Sequence, residues 1–145
     1  MSLRSKLEKV QSASEAWLLL RMLGLLLRLP RLIERRSLPE IVRAVSAPAG
    51  CAARFDPVKV TVYAGFWVHK LWFARRRPCL FRSLLLYRFL PEAGVAPTIF
   101  FGARKGAGEE DPLAGHAWIQ VGGQVVADTH EHVGGYTVAY TASQG

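Results

Sequence analysis

Cysteine is scarce in this 145-residue sequence: only Cys51 and Cys79 are present, and they lie far apart. Small secreted domains held by disulfides need several paired cysteines, and cysteine-based zinc sites need close CxxC pairs, so both classes are excluded. The chain also lacks repeats and low-complexity tracts, while 50% of its residues are hydrophobic. We therefore expect a globular protein with an ordinary core, in a reducing compartment such as the cytoplasm.

Long hydrophobic runs are also missing. The most apolar stretch, residues 17–29, is short, contains Arg21 and Arg28, and follows a charged segment. This pattern is typical of neither a signal peptide nor a membrane span. We expect no membrane-spanning segment.

Acidic residues are few, with 11 Asp and Glu against 19 Lys and Arg and a net charge of +8. The excess lies in residues 1–91, which hold 17 of the basic residues and only 5 of the acidic ones. Such a charge distribution favours an acidic partner. Nucleic acid is not favoured, because no nucleic-acid-binding motif is present and aromatic residues such as Trp17 and Trp72 lie in apolar stretches.

Hydrophobic periodicity and capping residues predict helices first and strands last. The predicted helices cover residues 3–28 (ending at Pro30), 37–45 (capped by Ser37), 57–74 (capped by Asp56) and 79–94. The predicted strands cover residues 98–101, 116–121, 124–127 and 136–140. Helices packed on a small antiparallel sheet make an α+β fold. We expect one domain, 1–145, with a helical extension over 1–47 and the core over 48–145.

A reactive thiol is predicted at Cys79. Pro78 is suited to the first position of a helix, which places Cys79 in the first turn, among backbone N–H groups that have no helical partner. The positive end of the helix dipole and four arginines, Arg75, Arg76, Arg77 and Arg82, favour a thiolate there. Cys51 follows Gly50 in a linker and has no histidine placed to serve it, so we interpret it as a structural or incidental thiol.

A base and an orienting acid follow in a predicted hairpin, as His116 and Asp128. His116 would accept the thiol proton, and Asp128 would hold the imidazole tautomer. A two-residue turn at Gly122-Gly123 would place the two side chains on opposite faces, whereas a three-residue loop over 121–123 would place them side by side. We therefore predict the three-residue loop or an equivalent bulge.

The sequence around these residues resembles a known family. Cys79-Leu80-Phe81-Arg82-Ser83-Leu84, Gly115-His116-Ala117-Trp118-Ile119 and the hairpin ending in Ala127-Asp128 together resemble the transglutaminase-like cysteine peptidases that remove leader peptides in lasso-peptide biosynthesis. The resemblance covers most of the chain and is closest to the stand-alone form, which has no fused leader-recognition domain. It implies a papain-like or transglutaminase-like core with a Cys-His-Asp triad at Cys79, His116 and Asp128.

The resemblance also implies partners and no cofactor. The substrate would be a ribosomally made precursor of leader and core, recognised with a small leader-binding companion, and the freed core amine would pass to an ATP-dependent cyclase. Trp118 and Arg82 are the candidate substrate-binding residues. For the companion and leader we expect docking on the N-terminal helices, with Arg21 and Arg28 one heptad apart on one face.

Three other interpretations stay open. A transamidase would use the same triad and form the same thioester. It would differ only in that an amine, rather than water, attacks the thioester. A non-enzymatic peptide-binding adaptor would normally have lost a triad residue, and here all three are present. His130 and His132, with His116, Asp128 and Glu131, would suit zinc, but a polar loop explains that segment more simply, and we predict no metal.

Overall fold

A computed structural model describes residues 13–103, 115–128 and 133–143. Within these ranges the helices are α1 (Ala13–Arg35), α2 (Leu38–Val45), α3 (Pro57–Lys70), α4 (Trp72–Arg75), α5 (Pro78–Phe89) and the 3₁₀ helix Leu90–Ala93. The strands are β1 (Pro97–Ala103), β2 (His116–Val121), β3 (Gln124–Val126) and β4 (Thr137–Ser143). Helices followed by an antiparallel sheet confirm the predicted α+β class.

Helix α1 continues through Pro30, so the prediction that it ends there is wrong. Proline removes one helical hydrogen bond, which costs about 3 kcal/mol in a helix interior. Burial on both sides offsets this cost, because Leu26 and Leu29 are fully buried before the proline while Leu32 and Ile33 pack on the same core after it. The predicted start of this helix lies outside the described residues. In the described ranges no helix has the length and apolarity that a membrane crossing requires.

The other helices begin where their caps predict. Asp56 accepts a hydrogen bond from the Val58 backbone N–H at 2.7 Å, and Pro78 is the first residue of α5. Helix α2 begins after Ser37, although the Ser37 side chain makes no capping hydrogen bond. The helix predicted over 57–74 is interrupted at Leu71, whose extended backbone (φ −91°, ψ 122°) separates α3 from the short α4.

The four strands form one sheet in the order β3-β2-β1-β4, with antiparallel neighbours throughout. Phe101 of β1 lies opposite Ala117 of β2, and Ile99 lies opposite Ile119. These four side chains join the core formed with the helices. Because side chains alternate along a strand, His116, Trp118 and Gln120 lie on the other face of β2.

A buried carboxylate ties α1 to α5. Arg21 donates hydrogen bonds of 2.7 and 2.8 Å to Glu92 in the 3₁₀ helix, and Arg88 donates a third of 2.9 Å. Burial alone would raise the pKa of Glu92, but the hydrogen bonds and charges of Arg21 and Arg88 outweigh it and hold that pKa below its ordinary value. Arg21 is therefore engaged inside the fold, and the prediction that it forms a docking face with the exposed Arg28 is wrong.

Reversing the charge at Arg21 should destabilise the protein. Arg21→Glu leaves the buried Glu92 carboxylate with a repelling neighbour, so we expect a loss of about 3–5 kcal/mol in unfolding free energy. Arg28→Glu, seven residues along the same helix and exposed, is the matched control and should shift the melting temperature by no more than about 2 °C. Equal shifts in the two variants would contradict the assigned role of Glu92.

The contact between Glu92 and the two arginines also predicts how the stability of the protein changes in acid. Because the pKa of Glu92 is lower in the folded than in the unfolded protein, its stabilisation is present above the unfolded pKa and is lost as pH falls through the folded pKa. Melting temperatures recorded from about pH 6 down to about pH 3 should therefore fall less steeply in Glu92→Gln than in the wild type.

Candidate active site

Cys79 lies in the first turn of α5, as its proline predicts. The residue before the helix, Arg77, has a non-helical backbone (φ −138°, ψ 65°) and makes no side-chain cap hydrogen bond. One turn further on, α5 is anchored by Phe81, Leu84 and Leu85, which are buried in the core. The half-buried thiol therefore lies at a fixed position near the end of the sheet.

Cys79 and His116 line the same cavity, which has a volume of about 370 Å³. His116 is the first residue of β2 and Gly115 precedes it, so the cavity lies where the strand begins and the start of α5 approaches it. The other lining residues are Leu38, Arg76, Arg77, Pro78, Leu80, Phe101, Gly102, Ala103, Gly115, Ala117 and Ala139. The structure thus brings the predicted nucleophile and base to one opening.

The imidazole of His116 contacts the carboxylate of Asp128. The distance from His116 Nε2 to Asp128 Oδ2 is 2.5 Å, which is a short hydrogen bond, and the two side chains are 7% and 8% exposed. A carboxylate accepts, so the imidazole donates from Nε2. This leaves Nδ1 as the nitrogen with which the ring would exchange a proton with a thiol.

Asp128 reaches His116 by a route that differs from the predicted one. Val121 lies opposite Gln124, so the hairpin has a two-residue turn in which Gly122 and Gly123 both have positive φ, 58° and 81°. This is the primed turn that matches strand twist, and the predicted three-residue loop is wrong.

The irregularity lies beyond the turn, at Ala127. A regular continuation of β3 in this register would place Asp128 opposite Ala117, on the helix-facing side of the sheet. Ala127 has φ 59°, a left-handed conformation that is rare for residues other than glycine. At this residue the alternation of side chains between the two faces of the sheet ends. Asp128 therefore meets His116, as the predicted equivalent bulge would allow.

Aromatic rings pack around His116. Trp118 stacks on it with centroids 5.7 Å apart, and Tyr136 stacks on it at 5.0 Å. Phe100 stacks in turn on Trp118, at 5.5 Å and nearly parallel. Gly102 makes room for this group, because a Cβ atom there would lie only 2.9 Å from the Trp118 ring and from Tyr136 Cβ. Tyr136 was not predicted as a site residue, and in the sequence only its position at the start of the last predicted strand points to it.

The remaining predicted site residues lie elsewhere. Trp118 supports the imidazole but does not line the cavity, and Arg82, half-buried on α5, does not line it either. Substrate binding by these two residues stays a prediction. Cys51 lines a separate cavity of about 600 Å³ beside Tyr87.

The sequence also contains candidate metal ligands. Within residues 13–103, 115–128 and 133–143, no group of three or more His, Cys, Asp or Glu side chains is arranged to hold a metal ion. His130 and His132 lie outside the described residues.

A family comparison agrees with this arrangement. The family model for the transglutaminase-like superfamily matches residues 16–141. The chain belongs to the transglutaminase-like superfamily. This superfamily includes cysteine peptidases and transglutaminases and usually carries cysteine-based catalysis. The match runs across residue 47, the predicted boundary of the N-terminal extension, and that boundary stays a prediction. No curated protein and no solved structure matches the chain.

The left-handed backbone at Ala127 can be tested by substitution in this transglutaminase-like domain. Ala127→Gly should keep or raise the melting temperature, because glycine adopts positive φ without the Cβ strain of about 1–2 kcal/mol. Ala127→Val should destabilise by at least that amount, because β-branched residues avoid this conformation. The control is Gln124→Val, three residues earlier on β3, where the backbone does not have positive φ. If Ala127→Val melts at the same temperature as Gln124→Val, Ala127 is not the residue that redirects the chain.

Proposed function

We propose that this transglutaminase-like protein is a cysteine peptidase that removes the leader from a ribosomally made lasso precursor peptide. The observation that carries the proposal is that His116, which is hydrogen-bonded to Asp128, lines the same cavity as Cys79. The motif residues Leu80, Phe81, Arg82, Ser83 and Leu84 after the cysteine, and Ala117 and Trp118 after the histidine, support the finer assignment. Both described cysteines are free thiols, which suits action in the cytoplasm.

The proposed mechanism begins with proton transfer from Cys79 to Nδ1 of His116, while Nε2 stays hydrogen-bonded to Asp128. The thiolate attacks the scissile carbonyl, and the tetrahedral intermediate collapses to a thioester as His116 gives the proton to the departing core amine. His116 then takes a proton from water, which hydrolyses the thioester and frees the leader carboxylate. First-turn backbone N–H groups of α5, where Cys79 lies, are suited to hold the oxyanion. No cofactor enters these steps.

A transamidase would follow the same route to the thioester. An amine would then replace water, so the leader would leave as an amide of the acceptor rather than as a free acid. The mass of the leader fragment separates the two reactions. A peptide-binding adaptor would leave the precursor intact.

The nucleophile and the orienting acid can be tested together. Cys79→Ala should abolish cleavage of the precursor, while Cys51→Ala, the matched thiol control at the other cavity, should stay nearly as active as the wild type. Asp128→Asn should stay folded and lose about 10- to 10⁴-fold in turnover, because the amide favours the wrong imidazole tautomer. Mass spectrometry of the precursor after incubation measures all three. Full activity in Asp128→Asn, or loss of activity in Cys51→Ala, would contradict the assigned roles.

We also propose that the leader-binding companion docks on α1. One side of this helix packs in the core, but Trp17, Leu20 and Leu27 are 60%, 57% and 59% exposed on the other. Spacings of three and seven residues place them on one face, which continues into the exposed Arg28 and Arg31. Neither Arg28 nor Arg31 makes an ion pair with another described residue, so the apolar stripe ends in positive charge, which is complementary to an acidic leader and its carrier.

Substitution of the apolar stripe formed by Trp17, Leu20 and Leu27 should remove the stimulation of cleavage by the companion. Leu20→Ser/Leu27→Ser should lower companion-stimulated cleavage at least about 10-fold, because the companion supplies the substrate by raising its effective concentration. Cleavage of the precursor alone and the melting temperature should not change, since both leucines are exposed. Val58→Ser is the matched control, on α3 and 69% exposed. Equal wild-type rates with and without the companion, well below substrate saturation, would show that this chain recognises the leader by itself.

A further inference from the structure

The cavity beside Cys79 carries positive charge that no described carboxylate neutralises. Arg76 and Arg77 both line it, and none of its described lining residues is acidic. Neither arginine makes an ion pair among residues 13–103, 115–128 and 133–143, in contrast with Arg21 and Arg88, which share Glu92. Arginine is suited to bind planar carboxylates through two parallel hydrogen bonds.

Arg76 is also held in position. Its guanidinium lies over the Trp72 ring at 5.2 Å from the centroid, and that ring is itself 63% exposed. Stacking on an aromatic face leaves the edge of the guanidinium, where its N–H groups lie, open to another group. Arg77 directly precedes Pro78, so it reaches the cavity from the start of the helix that carries Cys79.

The rest of the lining is apolar. Leu38 from α2, Leu80 from α5 and Phe101 from β1 come from three different elements. Ala117 and Ala139 also line it, and their small side chains leave room on the sheet side of the cavity. The cavity thus combines a hydrophobic surface with two cations that line the same opening as the thiol.

We propose that this cavity selects peptides that carry a carboxylate side chain close to the scissile bond, bound by Arg76 and Arg77, beside an apolar residue that packs on Leu38, Leu80 and Phe101. The inference rests on the proposed peptidase function and adds a substrate class to it. Arg76 and Arg77 are then specificity-determining residues. The competing role for them is stabilisation of the Cys79 thiolate, and the two roles give different results below.

An alkylation experiment tests the anion preference without any peptide. Iodoacetate and iodoacetamide react alike, as the thiolate displaces iodide and forms a carbon–sulfur bond, but only iodoacetate carries a negative charge. We measure the ratio of their second-order rate constants at Cys79 and, in the same sample, at Cys51, whose cavity has no described arginine. We expect the ratio at Cys79 to exceed that at Cys51 by about 5- to 30-fold at low salt and to fall as salt rises.

Substitution assigns the preference to the two arginines. Arg76→Gln/Arg77→Gln should bring the Cys79 ratio to within about 3-fold of the Cys51 ratio. Arg43→Gln, an exposed arginine on α2 that does not line the cavity, should leave it unchanged. If the double variant does not fold, Arg76→Gln alone takes its place. We expect this single substitution to lower the logarithm of the Cys79 ratio by about half as much as the double substitution does. A fall in both rate constants by one factor, with the ratio unchanged, would show that the arginines act on the thiolate and would overturn the proposal.

A second measurement links the cavity to peptides. For a precursor with Asp or Glu near the cleavage site, the double variant should raise KM with little change in kcat, and the matching Asn or Gln precursor should show no further increase. A C-terminally amidated precursor separates side-chain carboxylates from the chain terminus. Equal KM increases for the acidic and amide precursors would overturn the proposal. If no precursor is cleaved at all, the peptidase function fails, while the alkylation ratio still decides whether the cavity binds anions.

Discussion

The short hydrogen bond between His116 and Asp128 is the contact around which the site is arranged. Both side chains are more than nine-tenths buried, so an imidazole or a carboxylate without its partner would bear a large desolvation cost. A hydrogen bond to a charged group contributes about 1.5–3 kcal/mol and fixes the ring orientation. Several local features serve this one contact. Two left-handed glycines set the hairpin register, Ala127 redirects the chain, and Trp118 and Tyr136 pack against the ring and against each other.

Helix α5 connects this arrangement to the rest of the protein. Its first turn carries Cys79, its middle packs on the sheet, and Arg88 near its end binds Glu92 in the following 3₁₀ helix. Glu92 in turn binds Arg21, so α1 is fastened to the element that carries the nucleophile. The superfamily match, which begins at residue 16, agrees with a fold in which α1 is an integral part. Leu20 and Leu27 remain exposed on its outer face, where we propose that the companion docks.

Local signals in the sequence sufficed for the order of the helices and strands, and for placing Cys79 and His116 at one cavity. Proline at position 78 and the strand signal over residues 116–121 each act over a few residues, and both predictions agree with the structure. The errors came from contacts between distant residues. Pro30 is tolerated because later side chains reach the core, and Arg21 is engaged by a carboxylate 71 residues away. Periodicity carries no information on either contact.

The hairpin shows the same limit at a smaller scale. Two glycines fit a two-residue or a three-residue turn, and the extra residue that brings Asp128 to His116 proved to lie at an alanine. Alanine gives no composition signal for a left-handed backbone, since glycine or asparagine is usual there. Tyr136 escaped notice because it contacts His116 on β2 from the position just before β4, and no local pattern marks this contact.

The tautomer of His116 tests the central claim most directly. Long-range ¹H–¹⁵N correlation spectra of the Cys79→Ala variant, at a pH where the imidazole is neutral, report which ring nitrogen carries the proton, and His116→Gln assigns the signal. We predict a proton on Nε2, shifted downfield by the short bond to Asp128, and its loss in Cys79→Ala/Asp128→Asn. A proton on Nδ1, or a spectrum that does not change with Asp128→Asn, would contradict the account.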